Sequence, residues 1–133
     1  MANAIYPKYK EALISGSTNI SLSSGTVKVA LVDTGTYTYS SSHEFLTSLT
    51  GTVGTAQTLG TKTVTNGLFD AADSTFTAVS GSSAEALVIY IDTGTAGTSR
   101  LVAYIDTGVT GLPVTPNGGD INITWNASGI FSL

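Results

Sequence analysis

Three copies of Asp-Thr-Gly, at Asp33, Asp92 and Asp106, each follow a run of large apolar residues: "VALV", "VIYI" and "VAYI". This is the arrangement with which aspartic proteases present a catalytic carboxylate. In those enzymes two such groups face each other at about 3 Å and share one proton, because like charges that close cannot both ionise. The segments "ALVIYID" and "RLVAYID" read as two arms of one hairpin with "TGTAGTS" as its loop. With Asp92 opposite Arg100, register sets Ala86 opposite Asp106. Six residues at about 3.3 Å each then hold Asp92 and Asp106 roughly 20 Å apart, too far for a dyad. Asp33 escapes this argument, and a dimer could pair one aspartate with its symmetry mate. The residues after the tripeptide are Thr36, Thr95 and Val109, where the proteases carry Ser or Ala, and "INITWNASGIFSL" offers no second apolar-Gly signature. A duller role accounts for all three copies: Asp bonds its own backbone two residues on, Gly supplies a positive φ, and the strand ends.

The remaining reactive residues form no recognisable set. His43, the single histidine, sits beside Glu44 in a polar stretch and reads as an ordinary surface histidine rather than a base or ligand. Asp70 and Asp73 in "FDAAD" are three apart, whereas an EF-hand loop alternates its ligands every second residue, so a loop or cap role is expected. Trp125 reads as a packing residue. There is no P-loop, no G-x-S-x-G elbow and no G-x-G-x-x-G after a strand. No catalytic residue, cofactor or metal ligand is therefore assigned, and the chain is expected not to be an enzyme.

The elements that would position these residues are mostly strands. Segments 26–33, 58–67, 74–79, 84–92, 100–106 and 120–125 are rich in Val, Ile, Thr and aromatics and are separated by Gly, Ser, Asp and Pro. Asn66-Gly67 is the strongest two-residue hairpin signal. Pro7 and Gly16 bracket a short helix over 7–15, and "SSHEFLTSLTG" allows one further helical turn. Residues 110–120 read as a surface loop. The expected fold is an all-β antiparallel sandwich or jelly roll with a short N-terminal helix, one domain over 1–133 with 1–20 as a helical arm.

In the proposed hairpin, Leu87, Ile89 and Ile91 with Leu101 and Ile105 point one way, and Val88 and Tyr90 with Val102 and Tyr104 point the other. An antiparallel sheet ordinarily alternates apolar-in and polar-out. One face here belongs to the core; the second must be covered by the chain's own helix and loops or by another protein. In the latter case Val88, Tyr90, Val102 and Tyr104 form a subunit interface, and Tyr37 and Tyr39, just past a strand end, join it or pack their own loop.

Five basic and nine acidic residues give a net charge of −4 with no basic cluster, so nucleic acid and anionic membrane are not expected partners. Cysteine is absent, which excludes disulfides and thiolate sites. No apolar leader or membrane span is evident, and the sequons at Asn19, Asn122 and Asn126 read as chance in a cytosolic product. Only 11% of residues are charged while 41% are hydrophobic, which suggests a surface that ends up covered.

The runs "VKVALVDTGTYTYSSSHEF", "KTVTNGLFDAADSTF", "ALVIYIDTG", "LVAYIDTG" and "GGDINITWNASGI" together resemble small virion structural proteins encoded in the head-gene region of tailed bacteriophages. The similarity spans nearly the full length and lies in strand-and-turn pattern, not in a chemical motif. It implies a non-enzymatic capsid decoration or cement protein that docks on the major capsid protein at the virion surface as a homo-oligomer, after assembly in the host cytoplasm. The alternatives are a tail, baseplate or fibre component holding host glycan on Tyr37, Tyr39 and Trp125, and, more remotely, a dimeric protease-like enzyme.

Overall fold

The computed structural model describes residues 3–133. Its largest sheet has five antiparallel strands in the order β1-β8-β7-β2-β3, formed by Ala4–Ile5 (β1), Thr26–Val32 (β2), Thr52–Thr58 (β3), Ala86–Asp92 (β7) and Arg100–Ile105 (β8). A three-stranded sheet, β10-β5-β4, comprises Thr63–Thr65 (β4), Leu68–Asp70 (β5) and Phe131–Ser132 (β10). Ser74–Phe76 (β6) and Ile121–Ile123 (β9) make a two-stranded ribbon. The architecture is the expected all-β antiparallel sandwich with a short N-terminal helix, α1 (Pro7–Ser15). A jelly roll would divide its strands into two four-stranded sheets. Here the second layer is broken into short strands by the turns between them.

The helix follows its punctuation. Pro7 presets φ for the first turn, and Gly16, at φ 67°, ends the helix in the left-handed region with its N–H directed to the carbonyls of Ala12 and Leu13. Tyr9 and Ala12 form the buried stripe, and the helix packs against β8. Asn66 (φ 52°) and Gly67 (φ 78°) make the two-residue turn between β4 and β5, with Thr65 opposite Leu68. Leu46–Ser48 forms the extra turn as a 3₁₀ helix.

Two elements differ from expectation. The segment 58–67 is not one strand: β3 ends at Thr58 and β4 begins at Thr63, because the chain turns at Gly60 and at Thr61, which has φ 52°. Most of β3 lies upstream, in the Gly/Thr stretch 52–57. There Gly54 (φ 69°) sits within a bulge against β2, which admits an edge strand of low apolar content.

The β7–β8 hairpin starts in the expected register, with Leu87 opposite Ile105, Val88 opposite Tyr104 and Ile89 opposite Ala103. A bulge at Val102 then shifts the remainder by one, so Tyr90 faces Leu101 and Ile91, not Asp92, faces Arg100. Leu101 is thereby turned onto the Tyr90 face.

Both faces of this hairpin are closed by the chain itself. Every side chain from Ala86 to Ile91 and from Leu101 to Ile105 is at most 6% exposed. The Ile105 and Ala103 side meets the second layer, sharing grooves with Ile130, Phe131 and Trp125. The opposite side, which carries Val88, Tyr90, Val102 and Tyr104, lies under α1 and the 37–46 segment. These four side chains are interior, so of the two covers that the sequence allowed, the chain's own helix and loops supply this one, and the four do not form the subunit interface of the other reading. The outer edge of β8 is closed too: Tyr6 N–H donates to Val102 O, Leu101 N–H to Glu44 O and Leu46 N–H to Ser99 O. Arg100 fixes this cover in place, donating from Nε to Thr18 O at 2.8 Å, pairing with Glu44 at 3.2 Å and lying over the Phe45 ring at 5.1 Å.

Truncating the central contact should be expensive and shaving the edge should not. Ile89→Ala is expected to cost about 2–5 kcal/mol. Gly67→Ala, which forces a Cβ into the left-handed region, is expected to cost about 1–2 kcal/mol. Val64→Ala, at 53% exposure, should stay within about 0.5 kcal/mol. Urea unfolding of the three variants reads the order directly.

Candidate functional site

The three Asp-Thr-Gly copies act first as strand ends. Asp33 Oδ1 accepts from the Gly35 N–H at 2.8 Å and Oδ2 from Thr36 Oγ1 at 3.2 Å, while its carbonyl accepts from the N–H groups of Thr36 and Tyr37. Asp92 Oδ1 accepts from Gly94 N–H at 3.1 Å, and Oδ2 pairs with Lys28 at 3.2 Å. The Gly94 N–H, and after it the Lys28 ammonium, hold this carboxyl below the usual range against the opposing effect of burial. At Asp106 the turn is held from outside: Asn3 Oδ1 accepts from the N–H groups of Asp106 (2.7 Å) and Thr107 (3.0 Å). Gly94 (φ 86°) and Gly108 (φ 78°) adopt the positive φ expected of them; Gly35 does not, and there the aspartate alone closes the turn.

Register also distributes the aspartates. Asp92 pairs with Thr26 at one end of the sheet. Asp33 and Asp106 leave the other end on strands that flank β7, two strand spacings or about 10 Å apart. No two of the three share a proton. Between Asp33 and Asp106 stands Glu85, just before β7, whose Oε1 accepts from the Thr34 N–H at 3.0 Å and its hydroxyl at 3.1 Å.

Beside these carboxylates the sheet end collects tyrosines. Tyr6 lies 5.1 Å from Tyr39 between ring centroids, Tyr39 5.5 Å from Tyr104, and Tyr37 6.5 Å from Tyr104, all tilted. Such spacings suit ring edges meeting ring faces. A hydrogen-bond chain runs through the cluster: Tyr6 Oη to Tyr37 Oη at 2.8 Å, and Tyr37 Oη to His43 Nδ1 at 2.7 Å. With Nδ1 as the acceptor, both phenols donate toward the histidine. His43 is thus half-buried and engaged, unlike the free surface histidine that its polar context suggests. Tyr37 is 2% exposed and Tyr39 half-buried, so of the six residues proposed as an interface only Tyr39 has substantial access to solvent.

A cleft of about 580 Å³ opens over this cluster, walled by Tyr37, Tyr39 and Tyr104 and floored by Glu85 and Asp106. Tyr104 is 3% exposed and its hydroxyl makes no hydrogen bond among the described residues. Burial pushes its pKa up, and the charges of Asp106 and Glu85 add to the rise. Chemically the cleft offers phenol oxygens, ring faces and carboxylates. Glu85 was not singled out by the sequence reading. The available signal was positional: Tyr37 lies four residues after Asp33 and Tyr104 two before Asp106, and antiparallel pairing brings both to one sheet end.

Trp125 is not part of this assembly. It is 5% exposed, with its indole N–H on Ala72 O at 3.1 Å and its backbone N–H on Asp73 Oδ1 at 3.0 Å, in the second layer. Asp70 accepts from the Ala71 N–H within its own loop, whereas Asp73 reaches across to the Trp125 backbone. Among the described residues no group of three or more acidic or histidine side chains is poised to hold a metal, and no helix is long and apolar enough to cross a membrane. No protein-family model matches the chain, and a search of curated proteins returned no match.

Two measurements test the cluster. Tyr37→Phe leaves the buried Tyr6 hydroxyl without its acceptor and is expected to cost about 1–3 kcal/mol, whereas Tyr6→Phe with Tyr37→Phe should cost less than the two singles summed. A double-mutant cycle in urea gives the coupling.

Alkaline titration is the second. Burial raises the pKa of all six tyrosines, that of Tyr9 to about 12. Above about pH 10 the unfolded chain loses protons that the folded one keeps, so stability is full below that pH and falls as pH rises through the folded values. Phenolate absorbance is expected to appear first from Tyr39 and otherwise only together with unfolding.

Proposed function

We propose that this chain is a structural protein of a tailed-phage virion: a decoration or cement protein that binds the major capsid protein lattice on the head surface and stabilises it without catalysis. The observation that carries this reading is the asymmetry of the domain. Both faces of its central hairpin are closed by its own helix, loop and second layer, while aromatic and carboxylate groups gather at one end of the sheet. A self-sealed module with one chemically distinct end suits a protein that must arrive folded and dock in one orientation. The resemblance in strand-and-turn pattern to phage head proteins points the same way.

The mechanism is additive. A copy that bridges two capsid subunits buries apolar area at the seam, contributing about 25 cal/mol per Å² before association costs. Copies arrayed on one particle, as a homo-oligomer or as neighbours on the lattice, act together through effective concentration. The competing tail or fibre reading drew on Tyr37, Tyr39 and Trp125 as a glycan platform, and their separation removes its main support. The dimeric protease reading needs an available Asp33, and both oxygens of that carboxylate are taken by its own turn.

Co-sedimentation with heads that lack the protein is the direct test. Saturation at a copy number set by the lattice, with heads then surviving more heat, is the expected result. Binding at a few copies per particle would move the protein to a vertex or the tail, and no binding would overturn the reading.

A further inference from the structure

We propose that Asn66 is a self-modification site: in the folded chain it loses its side-chain amide by reaction with the Gly67 backbone and water, while the second Asn-Gly pair, Asn117-Gly118, is held inert by the fold. This chemistry is independent of what the chain docks on.

The reaction needs no partner but water. The backbone nitrogen of the glycine gives up its proton and attacks Cγ of the asparagine. The new N–C bond closes a succinimide ring, and the side-chain nitrogen leaves as ammonia with that proton. Water then adds to one of the two ring carbonyls and breaks its bond to the ring nitrogen. Opening at the side-chain carbonyl gives aspartate, and opening at the backbone carbonyl gives isoaspartate; nothing is oxidised or reduced. Glycine favours the closure because it brings no Cβ to obstruct it. Both the asparagine side chain and the glycine N–H must be free to move together.

The two pairs differ in this respect. Asn66 and Gly67 are exposed at the tip of the β4–β5 turn, at φ 52° and 78°. The Gly67 carbonyl accepts from Leu133 N–H at 3.0 Å, but the Gly67 N–H has no partner among the described residues. The Asn66 side chain has none either. Each of the five other asparagines uses its side chain: Asn3 on Thr107, Asn19 on Thr98, Asn122 on Thr75, Asn126 on Ser128 and Asn117 on Gly119. At the second pair the nucleophile is engaged as well, since Gly118 N–H donates to Val79 O at 2.8 Å while Asn117 Oδ1 accepts from Gly119 N–H at 2.9 Å. Ring closure there must break both bonds first, so it waits for local opening.

The liability is inherent in the turn. Two consecutive residues at positive φ are what the β4–β5 connection demands, and Asn-Gly meets that demand at least cost. Isoaspartate would route the main chain through Cβ, one atom longer, and so undo the turn that sets Thr65 opposite Leu68. Because β5 also carries β10, order is lost first in this three-stranded sheet and not in the central hairpin.

The test is peptide mapping of the full chain after prolonged incubation in mildly alkaline buffer made with heavy-oxygen water, with and without concentrated urea. Cleavage after Lys62 and Arg100 places Asn66 and Asn117 on different fragments. In the folded chain, conversion at Asn66 should exceed that at Asn117 by at least about tenfold, with isoaspartate present and one labelled oxygen in each product. In urea both sites should convert at comparable rates. Asn66→Gln, whose longer side chain would have to close a larger ring, should leave fragment 63–100 unchanged in mass. If Asn66 stays intact in the folded chain while converting in urea, the turn protects it and the proposal falls. Equal conversion of the two sites in the folded chain would overturn it too, since the bonds at Gly118 and Asn117 would then confer no protection.

Discussion

A sheet apolar on both sides must be covered on both, and nearly every other feature of this molecule answers that demand. The β7–β8 hairpin carries large side chains at almost every position, so neither face tolerates water. The second layer closes one face. Only α1 and the polar-looking 37–46 segment remain to close the other, which is why tyrosines rather than leucines appear in that segment. A tyrosine can bury its ring against the sheet and still turn its hydroxyl toward a neighbour or an opening. The hydrogen-bonded Tyr6, Tyr37 and His43 and the cleft above Tyr104 are thus by-products of how this face is sealed.

The bulge at Val102 belongs to the same solution. By turning Leu101 onto the Tyr90 face it enlarges the surface under the helix, and the Val102 carbonyl accepts the N–H of Tyr6 where β1 passes into α1. Arg100, brought opposite Ile91 by the same shift, clamps residue 18 after the helix and the 44–45 segment to the sheet. A single inserted residue thereby sets the position of the whole cover.

Local chemistry was legible in the sequence where one residue type dictates one conformation. Pro7 and Gly16 delimit the helix, Asn66-Gly67 makes the hairpin, and Asp33 and Asp92 bond back to their own turns, although at Asp106 Asn3 takes that role. The long β7 and β8 strands were evident from continuous apolar runs. Features set by long-range packing were not. Strand β3 is an edge of Thr and Gly whose strand character comes from pairing with β2, and nothing in "LVAYI" marks Val102 as the inserted residue. The link of Tyr6 to Tyr37 joins residues 31 apart in no periodic pattern. Glu85 stood unnoticed at the start of an apolar run, because its significance depends on what two other strands bring beside it.

The pairing of Ala4 with Tyr104 and of Ile5 with Ala103 also imposes an order of events in time. The ribosome delivers β1 and α1 well before β8, the sheet partner of β1 among the described residues, which emerges about a hundred residues later. Until then β1 has no strand to pair with, whereas β2 can already pair with β3 before β7 arrives on its other side. Such non-local closure pays its loop entropy before any contact rewards it, so this sheet is expected to close slowly for its size. The cover over the second face, and with it the tyrosine cleft, is completed only once β8 has been made.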